Sequence, residues 1–165
     1  MAKKKRQAGT PALQALERAQ VPYVLHEYEH HEHMDGGYAL DTSQVLGIDP
    51  ARIFKTLMVS ADSEVICALV PATGMLSLKA TAKAAGAKRA QMLDPAEAEK
   101  LTGYVTGGIS PLGQRTRHRV FVDSSALSQP DILVSGGKRS LSVQLTARDL
   151  AAATGAEFAD LAAER

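Results

Sequence analysis

Residues 54–70 read FKTLMVSADSEVICALV, and this stretch decides the fold class of the chain. Its two apolar runs, residues 54–59 and 65–70, flank the polar residues 61–64, a pattern that predicts two strands joined by a tight turn. Helical patterns lie on both sides of this hairpin, but helices and strands do not alternate strictly. The sequence therefore predicts a single mixed α+β domain.

Upstream of the hairpin, the pattern predicts a helix, a strand, a polar loop and a second, short helix. Thr10 and Pro11 begin the first helix, because a hydroxyl caps its N-terminus and proline suits the first helical position. Asp41 or Thr42 is predicted to cap the second helix, which ends at Gly47. The first three segments are residues 11–20, 23–28 and 29–37, and a further helical turn opens at residues 49–50.

Downstream of the hairpin, the sequence predicts three more helices and three more strands. The helices cover residues 77–85, 95–101 and 147–153, and the strands cover residues 119–123, 132–135 and 141–145. Residues 103–113 contain closely spaced glycines and one proline, which predicts irregular backbone. No internal repeat or long linker divides the chain, so one domain is expected over residues 10–165.

Length and composition exclude several classes of protein. The chain has 165 residues, of which 45% are hydrophobic and 22% charged, as expected for a packed core and not for a disordered chain. No apolar run approaches the roughly 18 residues that span a bilayer, and no apolar stretch follows the basic N-terminus as in a signal peptide. The single cysteine, Cys67, excludes an internal disulfide and is expected to be a small core residue. We therefore expect a cytoplasmic protein.

Charge is distributed unevenly along the chain. Residues 3–6, KKKR, are all basic, and without them 15 basic residues face 18 acidic ones, so the body carries −3 although the whole chain carries +1. We expect residues 1–9 to form a disordered, solvated tail, with attraction of phosphates as the alternative. Composition alone does not name a nucleic acid as the partner.

The first candidate site is the loop GGISPLG at residues 107–113. Glycines allow backbone N–H groups to approach a ligand and to surround a carbonyl oxygen or a phosphate. Ser110 does not fit the nucleophile-elbow pattern, because one residue too many separates it from the next glycine. The loop predicts either an oxyanion or substrate cradle, or a simple turn.

The second candidate is the segment VSGGKR at residues 134–139. It resembles part of a phosphate-binding loop, but it lacks the first glycine at the required distance and the hydroxyl residue after the lysine. It therefore does not predict nucleotide hydrolysis. Two interpretations stay open, an anion-binding corner and a hairpin with exposed basic residues.

Three histidines form the third candidate. His30, His31 and His33 have acidic neighbours, and zinc sites use histidine and carboxylate ligands. Neighbouring residues on one loop rarely converge on a single metal ion, however, and no HExxH helix pattern is present. We therefore predict no metal and no other cofactor.

Lys55 is the fourth candidate, at the start of an apolar strand. If Phe54 and Leu57 pack into the core, Lys55 points to the other face of the strand. There it could pair with an acidic residue at a sheet edge, or hold an anionic or carbonyl-bearing ligand in a pocket. The spacing alone does not distinguish these two roles.

Four segments taken together carry a resemblance to a known family. They are FKTL at 54–57, SLK at 77–79, TGYVTGGISPLGQ at 102–114 and VSGGKR at 134–139, in that order. The chain resembles the bacterial YbaK-type Cys-tRNA(Pro) deacylases, which are related to the editing domain inserted in bacterial prolyl-tRNA synthetase. The resemblance extends from about Thr10 to Leu161. It implies one domain with a mixed, barrel-like β-sheet surrounded by helices.

The resemblance also implies an activity, the trans-editing removal of cysteine from mischarged Cys-tRNA(Pro), with Cys-tRNA(Cys) as a second candidate substrate. Lys55 matches the lysine most tied to activity in the family, and Gly107 and Gly108 match a loop that stabilises the oxyanion. Ser142 stands where some relatives carry an acid, so no carboxylate role is expected there. The implied substrate-pocket residues are Tyr28, Tyr38, Thr56, Ser110, Pro111, Ser135, Gly136, Gly137, Lys138 and Ser142.

In the family mechanism, the thiol of the substrate attacks its own ester carbonyl, so the enzyme needs no nucleophile of its own. The implied partners are the acceptor end of an aminoacyl-tRNA and prolyl-tRNA synthetase. No membrane contact is expected, and the oligomeric state is not predicted. Three alternatives stay open: a deacylase for alanyl- or seryl-tRNA, a non-catalytic module that binds tRNA or a synthetase, and a metal hydrolase that uses the three histidines.

Overall fold

The computed structural model describes residues 9–163, in which helices and strands follow one another in mixed order. The strands are β1 (Val24–Glu27), β2 (Phe54–Ala61), β3 (Glu64–Pro71), β4 (Ala90–Met92), β5 (Arg119–Asp123), β6 (Ile132–Lys138), β7 (Leu141–Leu145) and β8 (Glu157–Ala159). The helices are α1 (Pro11–Ala19), α2 (Gly37–Leu46), α3 (Leu78–Ala85), α4 (Pro95–Thr102) and α5 (Ala147–Thr154). Short 3-10 turns cover Pro50–Arg52 and Ser124–Ser128.

The hairpin predicted from residues 54–70 forms, and its strands are longer than the apolar runs indicated. Only Asp62 and Ser63 connect β2 to β3, because Ala61 and Glu64 already pair with each other. Asp62 has a left-handed backbone, with φ 54°, which suits the tight turn. Its carboxylate also accepts hydrogen bonds from the N–H groups of Lys88 and Arg89, each at 3.1 Å, and so anchors the start of β4.

The strands form two sheets. The larger sheet has the order β4-β2-β3-β5-β8, in which β5 runs parallel to both β3 and β8, and the smaller sheet has the order β1-β7-β6. A single bridge, Ile53 to Leu133, joins the sheets. The prediction of one α+β domain with a mixed sheet is confirmed. Within residues 9–163 the strands curve around a shared core without closing into a barrel.

Side-chain caps fix the starts of most helices in the described chain, as predicted at Thr10. The side chains of Thr10, Ser77, Asp94 and Thr146 each accept a hydrogen bond from the first turn of a helix, which satisfies a backbone N–H that has no partner inside the helix. The predicted start of α2 is wrong. This helix begins at Gly37, one turn before the expected caps, and Asp41 and Thr42 are buried inside it.

The core lies mainly between the two sheets. Phe54 and Met58 of β2 face this cluster, whereas Val59 packs on the opposite face of the sheet, against α3. A third, smaller cluster places α2 over Ile53 and Leu133, the two residues that bridge the sheets. The helix α2 therefore covers the junction between the two sheets.

Three features of the described chain were not predicted, namely β4, β8 and the 3-10 turn after β5. Each short strand pairs through only three residues, too few for an alternating pattern to be recognised. Residues 1–8, most of the predicted basic tail, lie outside the described range, so that prediction is untested. In residues 9–163 no helix is long and apolar enough to cross a bilayer.

Candidate functional site

A cavity of about 300 Å³ opens at the junction of the two sheets, between α2, β2, the glycine loop and the β6–β7 hairpin. Eight of the residues predicted for the site lie in its wall. They are Tyr28, Tyr38, Lys55, Thr56, Gly107, Ser135, Lys138 and Ser142.

Lys55 lies half-buried in the cavity wall. Phe54 and Leu57 pack on opposite faces of β2, and Lys55 shares the Leu57 face because strand side chains alternate. Burial lowers the pKa of Lys55 from its ordinary value of 10.5, since the charged form loses hydration. No carboxylate among residues 9–163 forms an ion pair with it. The expected alternative, an acidic partner at a sheet edge, is therefore not found in the described chain.

Thr56 lies where the edge of β2 is open. β4 pairs only with the last three residues of β2, and the bridge at Ile53 covers only its start. At this edge of β2 the Met58 carbonyl accepts the N–H of Leu93 at 3.0 Å. Because the backbone groups of a strand alternate in direction, the N–H and C=O of Thr56 point to the same edge. Within residues 9–163 the Thr56 hydroxyl is buried and has no hydrogen-bond partner. Thr56 thus belongs to the cavity wall and has a buried hydroxyl group without a partner in the described chain.

Tyr28 connects three parts of the wall. Its hydroxyl lies 2.9 Å from Oγ1 of Thr42 on α2 and 2.6 Å from Oγ of Ser142 on β7. Ser142 is directly opposite Ser135 in the β6–β7 pair. Some relatives carry an acidic residue at the position of Ser142. In this chain Ser142 instead belongs to a network of neutral hydroxyl groups.

The His-rich loop is exposed along most of its length, as predicted, but His30 is an exception. The His30 side chain is only 10% exposed, and its ring packs edge-on against Tyr28 and Tyr38, with centroids 5.2 and 5.1 Å away. His30 and His31 both bond the buried carboxylate of Asp41. Burial favours the neutral acid, but the hydrogen bonds from the two histidines outweigh it and lower the pKa of Asp41 to about 2.

Gly107 packs directly against the ring of Tyr38. A Cβ atom added to Gly107 would lie 2.6 Å from Cε2 of that ring, and the φ of +90° also favours glycine. The guanidinium of Arg139 lies 5.2 Å from the centre of the same ring and donates a hydrogen bond to the Thr106 carbonyl at 2.9 Å. Tyr38 is therefore held between the glycine loop and the hairpin.

Gly108 does not provide the predicted oxyanion contact. Its N–H already donates to the Val105 carbonyl at 2.8 Å, and its Cα lies against the backbone of Lys138 and Arg139. Ser110 and Pro111 are also outside the wall. Both are buried behind the loop, and the Ser110 hydroxyl accepts the N–H of Leu112 at 3.1 Å.

Gly136 and Gly137 form a bulge in β6 and lie outside the cavity wall. The Gly136 carbonyl accepts the hydroxyl of Thr10 at 2.7 Å. A Cβ on Gly137, whose φ is +103°, would lie 2.9 Å from the ring of Tyr104. The two glycines thus allow close packing at the start of α1, and the other four residues of the predicted anion-binding corner, Val134, Ser135, Lys138 and Arg139, line the cavity.

Comparison with known proteins decides the family. A family model described as the aminoacyl-tRNA editing domain matches residues 35–153. The chain belongs to the aminoacyl-tRNA editing domain family. The protein EbsC of Enterococcus faecalis, which is named as a proposed Cys-tRNA(Pro)/Cys-tRNA(Cys) deacylase, is 36% identical over 162 residues, or 98% of each chain.

Two further similarities agree with this assignment. A proline–tRNA ligase of Desulforamulus reducens is 25% identical over 101 residues, which cover 61% of this chain and 18% of the ligase. A crystal structure described as a proposed trans-editing enzyme for prolyl-tRNA synthetase is 26% identical with a TM-score of 0.79, and covers 98% of this chain and 97% of its own. The resemblance inferred from four sequence segments is confirmed.

Part of the wall of the editing-domain cavity was not predicted. Several apolar residues near the open edge of β2 line the cavity. They are Leu57, Met92, Leu93, Pro95, Ala98 and Ile109. Apolar residues near a strand look like core in a sequence, so only the short length of β4 reveals that they line a cavity. The wall therefore combines these apolar side chains with the hydroxyl groups of Tyr28 and Ser142.

Within residues 9–163, the editing domain places neither Ser110 nor Cys67 in the cavity as a nucleophile. Ser110 points away, and Cys67 is fully buried in β3, where burial raises the pKa of its thiol to about 12. In residues 9–163, no three His, Cys, Asp or Glu side chains are grouped to hold a metal ion. The cavity instead offers an ammonium group, hydroxyl groups and a close backbone approach at Gly107.

Proposed function

We propose that this protein is a trans-editing deacylase that removes cysteine from mischarged Cys-tRNA(Pro). One observation carries the proposal: the cavity presents Lys55 without an acidic partner and several hydroxyls, but no side chain fit to attack an ester. Such a cavity suits a substrate that carries its own nucleophile. The relative named as a deacylase of cysteinyl-tRNAs matches nearly the whole chain, which supports the same substrate class.

The proposed reaction is an attack within the substrate. The thiolate of the esterified cysteine adds to its own carbonyl carbon, the ester C–O bond breaks, and the ribose oxygen leaves with a proton. The product is a cyclic thioester, which water then hydrolyses. A thiol with a pKa of about 8.5 is a few per cent thiolate at neutral pH and strongly nucleophilic, whereas a serine hydroxyl is not.

The protein in this proposal orients the ester and stabilises charge. Lys55 binds the terminal ribose or phosphate of the tRNA end, where an ammonium ion faces negative charge in a partly desolvated site. The backbone N–H of Gly107 lies beside the ester carbonyl as the oxyanion develops. Holding thiol and carbonyl in an attack geometry supplies much of the remaining acceleration.

The need for this activity follows from molecular size. Cysteine and proline are similar in volume, and a synthetase pocket that accepts proline discriminates poorly against a side chain of similar size. A second site that selects by chemistry, through the thiol, corrects the error. We place this activity in the cytoplasm, where aminoacyl-tRNA is made and consumed.

A deacylation assay over a panel of charged tRNAs tests the proposal. The panel contains Cys-tRNA(Pro), Cys-tRNA(Cys), Ser-tRNA(Pro), Ala-tRNA(Pro) and Pro-tRNA(Pro), each at the same concentration. We expect rapid release of cysteine from tRNA(Pro) and release of serine at least about 100-fold slower, because the one-atom change removes the attacking group. Equal rates for cysteine and serine would contradict the thiol mechanism, although the protein would remain a deacylase.

The two other functions predict different results in the same assay. A deacylase for alanyl- or seryl-tRNA releases those amino acids fastest. A non-catalytic module binds charged tRNA but releases nothing. The presence of both Lys55 and the complete loop from Gly107 to Pro111, the segments tied to activity in the family, argues against the module.

We also propose that prolyl-tRNA synthetase delivers the tRNA. Without residues 3–6 the chain carries −3, so its sequence-independent affinity for tRNA is weak. Tight binding of tRNA(Pro) to the isolated protein at physiological salt would overturn this part of the proposal.

A further inference from the structure

His30 occupies a position that the proposed chemistry does not use. The residue follows β1, lies between the rings of Tyr28 and Tyr38, and forms part of the cavity wall. Its two ring nitrogens face different elements. Nδ1 lies 2.9 Å from Oδ2 of Asp41 on α2, and Nε2 lies within hydrogen-bond distance of the Arg139 carbonyl in the β6–β7 hairpin.

Both of these neighbours are hydrogen-bond acceptors. A backbone carbonyl has no proton to donate. The Asp41 carboxylate also accepts the backbone N–H of His31 at 2.9 Å and Nδ1 of the His31 ring at 2.5 Å, so its ionised form is the one that this site stabilises. A neutral imidazole has one donor and one acceptor nitrogen, and it can satisfy only one of the two contacts.

We infer that His30 is held as an imidazolium ion in the folded protein and that it acts as a positioning residue for the cavity. In this state each ring nitrogen donates one charge-assisted hydrogen bond, one to α2 and one to the hairpin. The inference deepens the proposed function, since the wall that it orders is the proposed substrate site.

The contacts around His30 show what the imidazolium ion positions. Tyr28 and Tyr38 meet its ring edge-on from two sides, and Tyr38 in turn contacts Gly107 and the guanidinium of Arg139. His30 therefore contacts α2 and the hairpin directly and the glycine loop through Tyr38. Loss of one ring proton would remove the hydrogen bond either to α2 or to the hairpin.

The charges around the ring agree with this assignment. His30 faces one ionised carboxylate, Asp41, which compensates a positive ring. The other titratable groups that face it are the phenols of Tyr28 and Tyr38 and the imidazole of His31, while the cations Arg139 and Lys138 belong to the hairpin and line the same cavity. A single carboxylate thus serves both histidines.

Nuclear magnetic resonance of the ¹⁵N-labelled wild-type protein tests the protonation state directly. The chain has five histidines, and the ring of His30 is assigned through its correlations to its own backbone. We expect both ring nitrogens to show protonated-type ¹⁵N shifts at pH 6.5, and one of them to change as the pH is raised. A bare ring nitrogen at pH 6.5 would overturn the inference, and this measurement does not depend on whether the protein deacylates any tRNA.

The variant His30→Gln tests the positioning role, with His31→Gln as the matched control. His31 bonds the same carboxylate, but its side chain is 57% exposed and it does not line the cavity. We expect His30→Gln to lower kcat/KM for Cys-tRNA(Pro) about tenfold at pH 6.5, the loss of one charge-assisted bond. The ratio of wild type to variant should fall toward one as the pH rises, because wild-type His30 then loses the same bond.

The outcomes separate the two proposals. A loss that is the same at every pH would mean that His30 acts only by its shape, and would overturn the inference. An equal loss for His31→Gln would do the same. If no charged tRNA is deacylated by the wild type, the proposed function fails, while the ¹⁵N shifts still decide the state of His30.

Discussion

The two strands of the central hairpin differ sharply in what they contribute. β3 pairs with β2 on one side and β5 on the other, and its residues Ile66 to Val70 are fully buried. β2 also pairs with β3 along one edge, but its other edge is covered only at its two ends. Between those ends, Lys55 and Thr56 line the cavity. The comparison teaches that the cavity lies where a strand lacks a neighbour, because there side chain and backbone are both open to a ligand.

Removal of the Lys55 charge is expected to have the largest effect. Lys55→Met keeps the aliphatic part of the side chain, so the free energy of unfolding should change by less than about 1 kcal/mol. We expect kcat/KM for Cys-tRNA(Pro) to fall about 100- to 1000-fold, because the charged contact that holds the end of the tRNA in a partly desolvated site is lost. Deacylation kinetics and urea unfolding measure the two quantities.

The exposed Lys79 on α3 provides the control for this variant. Lys79→Met removes the same charge from the surface outside the cavity wall and should leave kcat/KM unchanged within about twofold. Comparable losses for the two variants would show that general attraction of tRNA, rather than the position of Lys55 on β2, accounts for the activity.

Gly107 faces β2 across the cavity, and its replacement should have the next largest effect. In Gly107→Ala the new Cβ meets the Tyr38 ring, and the φ of +90° adds a backbone cost of about 1–2 kcal/mol. We expect kcat/KM to fall at least about tenfold, which corresponds to about 1.4 kcal/mol. The free energy of unfolding should fall by a similar amount. Gly47→Ala, at a φ of +69° with open space around it, should lose stability but keep its activity.

Thr56→Val should separate activity from stability. The Thr56 hydroxyl is buried without a partner in the described chain, so replacing it by a methyl group of similar shape should leave the protein equally or more stable. If the substrate uses this hydroxyl, kcat/KM should fall about five- to tenfold, the value of one hydrogen bond. A variant that is more stable and equally active would mean that the open edge of β2 acts through its backbone alone.

Cys67→Ala, on β3, should have the smallest effect on activity. The thiol has no access to the cavity, and the reacting sulfur in the proposed mechanism belongs to the substrate, so kcat/KM should stay within about twofold of wild type. The small void in the core should cost about 1 kcal/mol of unfolding free energy. A folded but inactive Cys67→Ala protein would show that β3 takes part in the chemistry.

The strand and helix pattern was predictable wherever the signal is local. The hairpin follows from two apolar runs around a polar turn, and the caps at Thr10, Ser77, Asp94 and Thr146 are single side chains that bond their own helix. The start of α2 was not predictable in this way, because Gly36 caps it without a side-chain hydrogen bond. Asp41, which looks like a cap, is used in a contact with the histidines instead.

The candidate site was predictable in its residue types and less so in their arrangement. Lys55 and Gly107 reach the cavity, as the family resemblance implied, but Gly108 and Gly136 serve packing and turn geometry. A sequence does not show which glycine faces a cavity and which one packs against other parts of the chain. The structure shows this through the atoms that an added Cβ would contact. The role of His30 depends on its contacts with Asp41 and Arg139. Because His30 and Arg139 are 109 positions apart in the sequence, no local pattern could predict this role.

The pairing of β1 with β7 has a consequence for how the protein is made. Val24 pairs with Gln144, 120 positions later in the chain, and Tyr28 meets Ser142 just beyond this ladder. Pairing between such distant segments forms late and slowly, since the intervening chain must be ordered first. During synthesis, β1 remains an unpaired edge until nearly nine-tenths of the chain has left the ribosome, a period of exposure to aggregation. The contact between Tyr28 and Ser142 therefore needs almost the whole chain, and a chain that ends before residue 141 lacks the part of the cavity wall that β7 contributes.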